Sequence, residues 1–172
     1  GRIDSDTVIY ATAAPSLRLI PNANSSATNK LTYTVCTAAI ASGTSQTVSV
    51  QVRRSVLADT GGANFVGAEP RLVVKRNDLC GITADYVAAT GSAAGAVWEA
   101  LVGVSPVVTG AGVLEWAIEV SGSAGWINIA DVTVTPAVAM DGLDYSLNGE
   151  FGVLAGTAGG GSTGSRRARG VY

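Results

Sequence analysis

An all-β antiparallel sandwich of the jelly-roll type, ending in a Gly-rich tail, is the fold this sequence predicts. Three observations predict it. Runs of period-two alternation recur between clusters of Gly, Ser, Asn and Pro, helical periodicity is scarce, and 172 residues suit one domain with a buried core. The clearest alternation is TVSVQVRRS, where Val48, Val50 and Val52 point one way and Thr47, Ser49, Gln51 and Arg53 the other. In VLEWAIEV, Leu114, Trp116, Ile118 and Val120 share a face, and Glu115 and Glu119 fix the register because a one-residue slip would bury them.

Taken in order, strands are expected at Ser16 to Pro21, Lys30 to Cys36, Thr47 to Ser55, Pro70 to Arg76, Ala96 to Val104, Val113 to Val120 and Trp126 to Thr135. Seven strands are enough for two packed sheets. The core is expected to hold Val48, Val50, Val52, Leu72, Val74, Leu114, Trp116 and Ile118. Turn chemistry fills the gaps, as in PNANSS, ASGTS and VTGAG, and Asp59 to Glu69 reads as a surface loop. From Pro136 the alternation fades. The chain therefore divides into a sandwich at 1–135 and a C-terminal extension at 136–172 that ends in the Gly/Arg-rich tail TAGGGSTGSRRARGVY.

Composition narrows the chemistry. Charged residues make up 14% of the chain against roughly 25% in ordinary soluble domains, so Ser, Thr, Gly and Ala build much of the surface, which suits contact with a neighbour. A net charge of -2 gives no electrostatic reason to expect nucleic acid as a partner. There is no histidine, which excludes Ser-His-Asp and Cys-His machinery and removes the commonest metal ligand. Cys36 and Cys80 form no zinc pattern; buried free thiols or a disulfide are the two readings. No apolar run approaches the roughly 20 residues of a membrane span, so no membrane partner is expected. A start at Gly1 reads as a processed product or as part of a longer polypeptide. The runs TGGAN and AGGGS lack the Lys-Ser/Thr ending of a phosphate loop.

The order SLRLIPNA, TVSVQVRRS, PRLVVKR, AVWEALVGV, GVLEWAIEV and SGSAGWINIADVTV resembles the carbohydrate-binding-module-like jelly rolls of the galactose-binding type. With LDYSLNGEFGVLAG and the terminal Gly/Arg segment, it is also similar to such domains in tailed-phage structural and decoration proteins. The resemblance implies a non-enzymatic virion protein, such as a capsid-decorating subunit, with other virion proteins or copies of itself as partners. The alternative is a glycan-binding adhesin or receptor-binding module on a phage fibre or a secreted, extracellular bacterial protein.

Trp98, Trp116 and Trp126 are the aromatic candidates for sugar stacking. Core packing is expected of Trp116 and Trp98, while Trp126, after the SGSAG turn, is the candidate ligand-binding residue. No cofactor is expected beyond a structural calcium ion, for which Asp131 is the candidate metal-binding residue because hard cations take carboxylate oxygens from loops. A hydrogen-bonded strand-end aspartate is the other reading. Arg166, Arg167, Arg169 and Tyr172 are the candidate partner-binding residues, placed to meet carboxylates and backbone carbonyls of a neighbouring chain or to fold back on their own domain.

Overall fold

Alternation along the strands is realised as two antiparallel sheets stacked on a shared apolar core. The computed structural model describes residues 1–22, 30–92 and 94–135. One sheet has the order β1 (Arg2–Asp6), β2 (Ser16–Ile20), β11 (Ile127–Thr135), β4 (Thr47–Arg54) and β8 (Glu99–Val104). The other runs β3 (Leu31–Ile40), β9 (Gly112–Val120), β6 (Arg71–Val74) and β7 (Tyr86–Thr90). A small ribbon pairs β5 (Val66–Gly67) with β10 (Gly122–Ala124). Each of the seven expected strands is present, and β1, β5, β7 and β10 are additional.

All eight expected core residues are buried. Leu17, Leu19, Leu101, Ile127 and Ile129 join Val48, Val50 and Val52 on the inner face of the five-stranded sheet, opposite Leu72, Val74, Leu114, Trp116 and Ile118. Trp116 Nε1 donates to Oε1 of the buried Gln46 at 2.7 Å, and Gln46 Nε2 donates to the Ala39 carbonyl at 3.2 Å, so the one polar edge of the ring is satisfied inside the core. Cys36 and Cys80 are buried and unbonded, and burial pushes the Cys36 thiol up to about 12.

Three details differ from expectation. Trp98 is half-buried and precedes β8, because Gly95 bridges to Arg54 and Ala96 takes a positive φ of 59°, which delays the strand to Glu99. The segment from Asp59 to Glu69 is tied down: Asp59 accepts two bonds from Arg53, at 2.7 and 2.9 Å, and β5 lies within it. Glu119 does lie on the outer face, yet it is buried there beneath Lys30 and Arg71. Gly67 is required at its position, since a Cβ there would stand 2.1 Å from the Ser121 carbonyl oxygen. That close approach lets the β5/β10 ribbon form and leads the chain through Glu69 into β6, an inner strand of the four-stranded sheet.

Candidate functional site

The outward faces of the two sheets differ in kind. On the five-stranded sheet, the outward side chains of β1, β2 and β11 are bonded to one another. Asp6 accepts from the Val8 and Ile9 amides, both at 3.0 Å, from Arg18 Nε at 2.7 Å and from Asn128 Nδ2 at 2.9 Å. Asn128 Nδ2 also donates to Ser16 Oγ, and Asn128 Oδ1 accepts from Trp126 Nε1 at 2.8 Å. Burial alone would raise the Asp6 carboxyl, but the bonds from Arg18, Ile9, Asn128 and Val8 outweigh it and hold the group at about 2.

Trp126 belongs to this closed network. It is 6% exposed, and the Arg18 guanidinium lies 4.6 Å from its ring centroid, so the ring has no open face for a sugar to stack on. The expectation that Trp126 binds ligand assumed an edge position; the covering Arg18 and the bond to Asn128 give it a structural place instead. Asp131 adopts a positive φ of 49° in the bulge of β11 and accepts a hydrogen bond from the Thr12 hydroxyl. Among the described residues, no three or more Asp, Glu or Cys side chains gather as metal ligands. Arg166, Arg167, Arg169 and Tyr172 lie outside the described residues.

The outer face of the four-stranded sheet is open. Register places Thr32 opposite Glu119, Glu119 opposite Arg71 and Arg71 opposite Thr90, so one polar row crosses all four strands. Arg71 Nη2 and Lys30 Nζ meet on Glu119 Oε2, at 2.6 and 3.0 Å, with Lys75 Nζ 4.0 Å from Oε1. Burial raises the Glu119 carboxyl, and the two cations more than reverse this, holding it ionised below the usual carboxylate range. Where the row meets the β5/β10 ribbon, a cavity of about 170 Å³ opens between Lys30, Arg71, Thr90, Glu119, Ser121 and Glu69, with Ala68 behind them. Its walls alternate ammonium, guanidinium, hydroxyl and carboxylate groups. Such a wall offers donors and acceptors at once, and with no aromatic lining what it presents is hydrogen-bonding groups and not a stacking platform.

None of these residues stood out in the sequence as part of a binding site, Glu119 being marked only as a guide to strand register. The available signal was weak: charged Arg71 and Glu119 at outward positions of two strands whose other outward residues are mostly small, apolar or hydroxyl-bearing. Only strand pairing shows that they are neighbours.

The architecture is an antiparallel β-sandwich. Among solved structures the chain is similar to a Clostridium thermocellum endo-1,4-β-D-xylanase, in its CBM22-1 and GH10 modules complexed with xylohexaose. The TM-score is 0.56 at 17% identity, over 78% of this chain and 24% of that one. It is also similar to the C-terminal domain of EclA, described as a sugar-binding protein, with a TM-score of 0.44 at 16% identity over 74% of this chain and 84% of that one. No family model and no curated protein matches the sequence.

Proposed function

We propose that this domain is a non-enzymatic glycan-binding module whose binding site is the cavity on the four-stranded sheet. The observation that carries the reading is the polar row Thr32–Glu119–Arg71–Thr90, held in register across the sheet and opening into a cavity of alternating donors and acceptors. The sandwich shared with a structure that carries a carbohydrate-binding module supports the same reading at the level of fold. A capsid-decorating role is the other reading that the sequence offers. That other role leans on Arg166, Arg167, Arg169 and Tyr172, outside the described residues, whereas the glycan reading leans on side chains with defined positions.

The test is calorimetry and affinity electrophoresis of the full chain against a panel of soluble plant, bacterial and algal polysaccharides, with product analysis alongside. Binding to at least one glycan without turnover is expected. Arg71→Ala and Thr90→Val should each weaken it, the former by about tenfold, as loss of a charge-assisted hydrogen bond does. Binding to no member of the panel, or binding that both variants leave intact, would remove the site from consideration. Turnover that copurifies with the chain would contradict the non-enzymatic part.

A further inference from the structure

On the β4 and β8 half of the five-stranded sheet, away from the Asp6 network, a band of outward side chains carries no charge. Alternation turns Thr47, Ser49 and Gln51 of β4 outward between buried valines, and Ala100, Val102 and Val104 of β8 outward around buried Leu101. Register aligns Thr135, Thr47 and Val104 in one row, Thr133, Ser49 and Val102 in the next, and Gln51 with Ala100 in a third. The serine and threonine hydroxyls of these rows and the Gln51 amide make no hydrogen bond among the described residues, and none of them is shut off from solvent.

Trp98 stands at the end of the band. It precedes Glu99, which pairs with Val52, and the bond from the Ala96 amide to the Arg54 carbonyl, at 3.0 Å, holds this segment alongside β4. The alternation that turns Ala100 outward brings Trp98 to the same face. Its ring is half-buried yet is not among the side chains packed on the core, so the sheet surface covers one side of it and the other is open. An open indole face beside free hydroxyl and amide groups meets both parts of a sugar, the apolar C–H face and the hydroxyl edge.

From Trp98 to Val104 the band is about 20 Å long, and its three strands make it about 14 Å wide. An area of about 300 Å² is well under the roughly 800 Å² that each partner of a stable protein complex buries, so a second copy of the chain is a poor fit and a single extended chain of sugars a good one.

We infer that this band is a second glycan-binding site, with Trp98 as its stacking platform and Gln51, Ser49 and Thr47 as its hydrogen-bonding groups. Its ligand class is an extended, uncharged polysaccharide, because no charge in the band attracts an acidic one. The site lies on the opposite sheet from the cavity and does not depend on it.

Tryptophan emission reads this site directly: Trp116 and Trp126 are 0% and 6% exposed, so acrylamide quenches Trp98 first. The probes are xylohexaose, cellohexaose and mannohexaose, added to the full chain with acrylamide quenching and calorimetry read together. At least one hexaose should protect Trp98 from the quencher. Trp98→Ala should weaken its binding by about tenfold and Gln51→Ala severalfold, with thermal unfolding checking that both variants are folded. A hexaose that binds without protecting Trp98, at an affinity both substitutions leave unchanged, overturns the second site and leaves the cavity reading standing. A concentration-dependent dimer that Val102→Lys disperses assigns the band to a second copy and also overturns it. No binding by any hexaose or by the wider panel overturns both sites.

Discussion

Asp6 shows how one buried carboxylate can organise a surface. It accepts bonds from two backbone amides, Arg18 and Asn128, and joins β1 to β2 and β11 through side chains as well as through the backbone ladder. Its carboxyl titrates at about 2 when folded against 3.8 ordinarily, so the folded state favours the ionised form. The stabilisation from this group is fully present above about pH 4 and is lost as pH falls toward 2; it amounts to about 2 kcal/mol. Urea unfolding at pH 7 and at pH 2.5 should show Asp6→Asn less stable than the parent at pH 7, with the gap narrowing at low pH. A gap independent of pH would mean that the carboxylate charge is not what holds the network. Nothing local in the sequence distinguishes Asp6 from the other acidic residues. Its partners Arg18 and Asn128 lie 12 and 122 residues away.

At the scale of elements, alternation was a good guide wherever one strand face lies in the core. Strand β9 illustrates this, since Leu114, Trp116, Ile118 and Val120 are buried as their spacing requires. Trp116 also reaches Gln46, just before β4, and so joins β9 to the opposite sheet. Trp116→Ala should cost about 3–5 kcal/mol by opening a cavity. Trp116→Phe should cost less, chiefly by leaving Gln46 Oε1 without its donor. The urea midpoint measures both, and a wild-type midpoint for the alanine variant would contradict this packing. The missed strands share a cause. In β1, RIDSD alternates little and its Ile3 is exposed; β5 and β10 are two and three residues long and exist only through each other. In β7, YVAAT contributes only half-buried alanines to the core side, too faint a pattern to read without its partner β6.

For the molecule as a whole, the layered architecture was legible from residues 16–135, but the site was not. The sequence points to Trp126 for sugar recognition, and the structure closes that ring beneath Arg18. The open polar groups come from four strands and a ribbon that no local pattern links, because cross-strand neighbours are set by pairing and not by spacing. Register alone brings Glu119 between Thr32 and Arg71.

The mutual bonding around Asp6, Ser16, Arg18, Trp126 and Asn128 carries an evolutionary consequence. Changing any one of these residues strands the buried donors or acceptors of its neighbours, so this side of the sandwich resists stepwise change. Thr32 and Thr90, by contrast, are exposed and can vary without orphaning a buried group. Innovation in this scaffold is thereby channelled to one side, and a saturation library selected only for folding should be depleted at the first five positions and permissive at the latter two. Equal tolerance on both sides would show that the buried network imposes no such bias on the paths open to descendants of this chain.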